Sequence, residues 1–161
     1  MGAGKVVHGA NGAAGEIGYT LRGVAGELGA ADGRAPLEEL AGGRAIGERA
    51  SVLLGGTLTA ADVFAHPDPR ARRLVEETLA ELAVHVANMA IVVDPARIAV
   101  GGGLMSNREL VLSALDERLR AAVPFPPQLV PARFIHDGSL RGAIALALDA
   151  VAAMTQSEEE Q

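Results

Sequence analysis

The sequence predicts an α/β fold, in which helices pack against a sheet, and three observations predict it. Hydrophobic residues make up 49% of the chain, yet Phe, Trp and Tyr together make only 2%. A core built from Ala, Val, Leu and Ile packs most readily as helices laid on something flat. Between residues 69 and 93, Val75, Leu79, Leu82, Val86, Met89 and Val93 recur at spacings of 4, 3, 4, 3 and 4, which is one apolar stripe along a helix. Directly after it, Arg97-Ile98-Ala99-Val100 reads as a short buried strand running into Gly101-Gly102-Gly103 and a further helix. The resulting order is a short β region, several helices, then strand, helix, strand and helix.

Taken from the start, Lys5-Val6-Val7-His8-Gly9 reads as the end of a short strand entering a glycine turn. Tyr19 to Leu21 is a second candidate strand, and residues 22–35, rich in Gly, Ala and Asp, read as a surface loop. Pro36 opens a helical stretch, Leu37-Glu38-Glu39-Leu40, from the favourable first-turn position. Gly42-Gly43 bends or interrupts it, and Arg44 to Leu54 resumes the helical pattern. Thr59 is an N-cap for a short helix through Phe64, closed by Pro67. In the long helix, Arg70, Arg72, Arg73, Glu76, Glu77 and Glu81 lie largely off the apolar stripe, and Asp94-Pro95 stops it. Ser106 with Glu109 three residues later makes a capping box, so a helix is expected from there to about Ala122. Gln128 to Ile135 is strand-like, with Pro131 arguing for an edge position, and Ser139 caps a last helix through Met154. Residues 1–155 then form one domain, followed by an acidic tail, 156–161, expected to be disordered.

Composition excludes several classes of function. The formal net charge is −6, with a single lysine, Lys5, and scattered arginines, so no aligned basic face is available for phosphates and no nucleic-acid contact is expected. The chain has no cysteine, which removes disulfides, thiolate metal sites and cysteine nucleophiles. No signal peptide is read at the start, and the apolar runs carry Glu81, His85 or Asp149 and fall short of the ~20 residues a spanning helix needs. No membrane contact and a cytoplasmic location are expected.

Two places could carry chemistry. Gly12-Ala13-Ala14-Gly15-Glu16-Ile17-Gly18-Tyr19 sets one acid among small residues, where the backbone can approach a ligand and a carboxylate can accept hydrogen bonds from two neighbouring hydroxyls. On spacing alone, a tight turn with an exposed Glu is the simpler account. The triple glycine after Val100 lies where open α/β sheets bind ligands, beyond the carboxyl end of a strand, and offers bare backbone to a ring or ribose. A tight strand-to-helix connection explains it nearly as well. Glu38 stands at a helix start, where a negative charge is favoured anyway. His8, His66, His85 and His136 lack metal-ligand spacing. His85 reads as a structural histidine bonded to a partner, and His136-Asp137 as a helix start that could face a cleft.

Together these segments resemble the ROK family of bacterial sugar kinases and sugar-responsive repressors, specifically its carboxy-terminal lobe. The matching stretches are Gly12 to Gly18, Leu37-Glu38 with Gly43-Arg44-Ala45-Ile46, Val93 to Gly103, and Leu140 to Ala147. The resemblance implies an actin-like (ribonuclease H-like) lobe, a mixed sheet flanked by helices, with ATP, Mg2+ and sugar meeting in a cleft. It implies that Glu16 and Glu38 hydrogen-bond sugar hydroxyls and that Gly101, Gly102 and Gly103 line the adenosine side. Tyr19 stands where the family keeps a His that helps bind zinc and sugar, so its hydroxyl is the candidate substitute. The family's cysteine-rich zinc loop is replaced by cysteine-free sequence, so no structural zinc or other metal site is expected.

The family's amino-terminal lobe, phosphate loops and general-base aspartate have no counterpart in this sequence. The expectation is therefore a binding lobe without a catalytic residue of its own, inactive as a kinase when alone. Two rival expectations are the effector-sensing lobe of a repressor and a non-catalytic remnant. A homodimer is also expected, from exposed strand edges and from the family's habit of self-association.

Overall fold

The computed structural model describes residues 6–135 and 137–159. Eight regular elements follow one another: α1 (Glu38–Ala41), α2 (Gly43–Leu54), α3 (Ala60–Ala65), α4 (Pro69–Val93), β1 (Arg97–Val100), α5 (Arg108–Ala122), β2 (Gln128–Pro131) and α6 (Gly138–Glu159). Short 3-10 helices precede them at Ile17–Tyr19 and Ala30–Asp32, and another, Gly103–Asn107, leads into α5.

The two strands expected near the start are not formed. Lys5 lies outside the described residues, and Val6 to Gly9 have no strand partner among them. Gly9, Gly12 and Gly15 take φ of 71, 75 and 90°, and each reversal breaks an extended path. Tyr19 ends a 3-10 helix in place of starting a strand, and Thr20 N–H closes it on the Ile17 carbonyl at 2.9 Å. Residues 22–35 are the expected surface loop, apart from the turn at Ala30–Asp32.

The helices follow the sequence more closely. Gly42, extended at φ −62 and ψ 142°, separates α1 from α2. Thr59 and Asp62 cap α3 reciprocally, side chain to backbone in both directions. Asp68 caps α4 by accepting from Arg70 N–H at 2.8 Å, with Pro69 in the first turn. Asp94, left-handed at φ 47°, ends the helix. Val75, Leu79 and Val86 of the predicted stripe are buried, Leu82 and Met89 half-buried, and only the terminal Val93 is exposed.

β1 and β2 pair in parallel, with Arg97 opposite Gln128 and Val100 opposite Pro131. Among the described residues this pair is the sheet, so its order is parallel where a mixed sheet was expected. β1 is alternately exposed and half-buried along its length and is not the buried strand predicted, because helices cover one face only and receive Ile98 and Val100 there. The Ser106–Glu109 capping box does not form. Met105 N–H bonds the Gly102 carbonyl at 3.1 Å, and the buried Met105 side chain starts a 3-10 turn ahead of it, so α5 begins at Arg108 without a side-chain cap. β2 stops at Pro131, four residues short of Ile135. Ser139 lies within the first turn of α6, which runs past Met154 to Glu159. Near its start, Arg141 bonds Asp137 at 2.6 Å and lies 4.4 Å above the Phe134 ring.

The main core joins Ile46 and Ala50 of α2, Val63 of α3, Leu74 to Ala90 of α4, and Val111, Leu115 and Leu119 of α5. A smaller cluster, Leu37, Leu40 and Ala41, receives Ile17 and Leu82. That cluster fixes the glycine-rich start of the chain to α1 and α4, and so positions the first candidate site.

Candidate functional site

Glu16 stands at the head of the 3-10 helix Ile17–Tyr19, immediately after Gly15. Its carboxylate is exposed and makes no protein hydrogen bond among the described residues. Tyr19, 52% exposed, closes the same turn, its N–H bonding the Glu16 carbonyl at 3.3 Å. The turn is joined to α1 through its backbone, because Leu37 N–H donates to the Gly18 carbonyl at 3.1 Å.

Glu38, the first residue of α1, lies against both glycines that flank this junction. A Cβ on Gly18 would fall 3.3 Å from Glu38 Cβ and 3.8 Å from Oε2. A Cβ on Gly42 would fall 2.6 Å from the Glu38 carbonyl oxygen and collide with the carboxyl group as well. The absence of a side chain at 42 is what lets the carboxylate lie there, and Gly18 leaves room for the Glu38 Cβ. The segments bearing Glu16 and Glu38 are thus neighbours, held by one hydrogen bond and by Ile17 packed on Leu37, Leu40 and Ala41.

Immediately beyond Gly42 begins a groove of ≈ 720 Å³, between α2, the residues entering α3, and the segment after β1. Gly43, Gly47 and Ser51 form its floor, Thr57 to Ala61 one wall, and Gly103 with Leu104 the other. Gly47 must be small, since a Cβ there would meet the Leu58 carbonyl oxygen at 2.5 Å. Ser51 Oγ donates to the Gly47 carbonyl at 2.7 Å and accepts from Leu58 N–H at 2.8 Å, which pins the wall to the floor.

The three glycines after β1 do different work. Gly101 packs toward β2, where a Cβ would lie 3.1 Å from Ala132 Cβ. Gly102, at φ 90°, turns the chain, and its N–H bonds the Ile135 carbonyl at 3.3 Å. Gly103 alone lines the groove. The sequence offered a signal for the rest of the floor that spacing analysis missed: Gly43, Gly47 and Ser51 recur every four residues, a smooth strip on one helix face.

Side-chain bonds hold the loop between Tyr19 and Leu37. Glu27 accepts from the N–H groups of Arg22 and Gly23, at 2.6 and 3.1 Å. Arg22 forks onto Glu81 of α4, and that bond raises the guanidinium further above its ordinary pKa. Arg34 bonds Glu39 and holds its carboxyl down at about 2. Arg49 donates to the Leu40 carbonyl at 2.9 Å and to Thr78 Oγ1 at 3.0 Å, and burial pushes its guanidinium pKa down. His85 is buried and bonded to Thr20 at 3.0 Å, as a structural histidine should be. His136 lies outside the described residues, and Asp137 is engaged by Arg141.

Among the described residues, no group of three or more His, Asp or Glu is arranged to hold a metal. No helix among them is long and apolar enough to cross a membrane.

The chain is similar to known sugar kinases. N-acetyl-D-glucosamine kinase of Yersinia pseudotuberculosis is 34% identical over 90% of this chain and 53% of its own length. N-acetylmannosamine kinase of Escherichia coli is 31% identical over 90% of this chain and 50% of its own. The chain therefore spans about half the length of the curated relatives it matches. Among solved structures, a glucokinase from Streptomyces griseus, in complex with glucose and AMPPNP, superposes with a TM-score of 0.68 at 26% identity over 88% of this chain and 54% of that one. A hexokinase from Thermus thermophilus gives 0.66 at 27% identity, covering 83% and 47%. Both are ROK proteins, and the α/β, actin-like fold class stands on these similarities. With its sequence matching the family pattern over residues 1–150, the chain belongs to the ROK family.

Proposed function

We propose that this chain is the sugar- and adenosine-binding, carboxy-terminal lobe of an ATP-dependent kinase for a hexose or N-acetylhexosamine. The observation that carries the reading is the junction at Gly42: Glu38 rests on one side of it and the groove floor begins at Gly43 on the other. Two acids on adjoining segments can each accept from a pair of hydroxyls, the ordinary grip on a pyranose. Tyr19 adds a phenolic hydroxyl on the same turn.

The groove suits an adenosine. Its floor of Gly43 and Gly47 admits a flat ring, Val52, Leu104 and Ala61 offer apolar contact, and Arg44, Glu48 and Thr57 add polar groups to its lining. Gly103 contributes bare backbone, with Gly101 and Gly102 setting its path. ATP, bound with Mg2+ on its phosphates, would supply the phosphoryl group. This chain's own residues would hold the adenosine and orient the sugar. Kinase relatives favour this lineage over a sugar-responsive repressor.

Phosphoryl transfer rests on charge stabilisation around the phosphates, and the grips named here hold only the two ends of the reaction. The chain by itself is expected to bind and not to turn over. Isothermal titration with AMPPNP, glucose, N-acetylglucosamine and N-acetylmannosamine should give saturable heats for the nucleotide and for at least one sugar. Glu16→Gln and Glu38→Gln should abolish the sugar heat and spare the nucleotide. Binding of neither class would overturn the proposal, and steady ATP-dependent phosphorylation by the pure chain would overturn its second half.

A further inference from the structure

We propose that His85 is a positioning residue, which with Thr20 latches the sugar-gripping turn onto α4. This inference rests on the reading of Glu16 and Tyr19 given above. The turn has little else to hold it. It lies outside the sheet, and one backbone hydrogen bond, Leu37 N–H to the Gly18 carbonyl, joins it to α1. Ile17 packs on Leu37, Leu40 and Ala41 beside α1, and the side-chain pins beyond that fall on a single strip of α4. Leu82 meets the cluster that receives Ile17, Glu81 takes Arg22, and His85 takes Thr20. Positions 81 and 85 are one helical turn apart, and Thr20 and Arg22 are two residues apart, so the two side-chain pins are in register.

The chemistry of the pin is fixed by proton counting. Thr20 has one hydroxyl proton, and it goes to the Ile17 carbonyl at 2.7 Å. The 3.0 Å contact with His85 is then a bond in which Nδ1–H donates and Thr20 Oγ1 accepts. Thr20 N–H bonds the same Ile17 carbonyl at 2.9 Å. Three bonds thus converge where the turn bearing Glu16 and Tyr19 ends. With His85 8% exposed, little water can replace it if it is removed, and the turn is left to drift about its junction with α1. His85 touches no part of the groove, so its influence should reach the sugar and not the nucleotide.

The test uses the full chain with two readouts, amide hydrogen exchange across residues 14–22 and titration with sugar and AMPPNP. His85→Ala should speed exchange in that segment and weaken sugar binding about tenfold, the loss of one partly buried hydrogen bond. AMPPNP affinity should not change. His85→Asn, whose amide N–H sits near the place of Nδ1–H, should restore both readouts. Thr20→Val should reproduce the loss and Thr20→Ser should not. Unchanged exchange in His85→Ala overturns the latch, as does an equal loss of sugar and nucleotide binding, which would mark a merely structural histidine. Absence of sugar binding by the unmutated chain overturns the reading of Glu16 and Glu38 instead, and the exchange result still decides the latch.

Discussion

At the scale of single residues, the acids divide into those with partners and those without. Asp68 and Glu39 are engaged by Arg70 and Arg34, and each carboxyl is held down at about 2. Their hydrogen bonds to the guanidinium groups are the leading cause, helped by backbone N–H groups at Arg70 and Ala35. Since the unfolded chain titrates near ~4, these groups favour the folded state at full strength above that value. The advantage disappears as the pH drops toward 2 and the folded carboxyls take up protons. Tm measured from about pH 5 down to pH 2 should fall, and Asp68→Asn with Glu39→Gln should lower the Tm at neutral pH and flatten that fall. Glu16, by contrast, has no protein partner among the described residues. Residue identity revealed part of this: Thr59 is a local cap legible in sequence, whereas Asp68 ahead of Pro69 carries a cap signal that spacing analysis missed. What spacing could not reveal is Thr20 meeting His85, because 65 residues separate them.

At the scale of elements, the long-period features were legible and the short ones were not. The stripe of α4 repeats over six positions, and no competing arrangement buries it. The strand expected at Tyr19–Leu21 fails because three apolar or β-prone residues cannot extend without a neighbour to pair with. The Ser106–Glu109 motif fails because a buried methionine one residue earlier starts the turn ahead of it. The strip of Gly43, Gly47 and Ser51 on α2 makes a sharper claim. Gly47→Ala places a methyl 2.5 Å from the Leu58 carbonyl oxygen, and both are held in place through Ser51. The wall must move off the floor. Urea denaturation should register about 1–3 kcal/mol of destabilisation, typical of overpacking, and AMPPNP titration should show weakened binding. Retention of full nucleotide affinity would separate this groove from the adenosine.

At the scale of the molecule, the class of fold was readable from composition, but the extent of the sheet was not. A chain short of aromatic residues and rich in aliphatic ones had to stack helices on a flat support, and it does. How many strands make that support depends on pairings between distant segments, to which periodicity is blind. Among the described residues each strand has a single neighbour, so each offers an open side to another chain. We expect the protein to self-associate as a homodimer. Light scattering at micromolar concentration should return twice the 16.4 kDa of one chain; a monomer mass would refute this.

The junction at Gly42 has one more consequence. It is braced from one side by a carboxylate and continues on the other into the bottom of the groove. If the proposed sugar grip draws that carboxylate away, the start of α2 is expected to tilt with it. Sugar and nucleotide would then change each other's affinity by the same factor, as linkage requires, through a residue with no side chain at all.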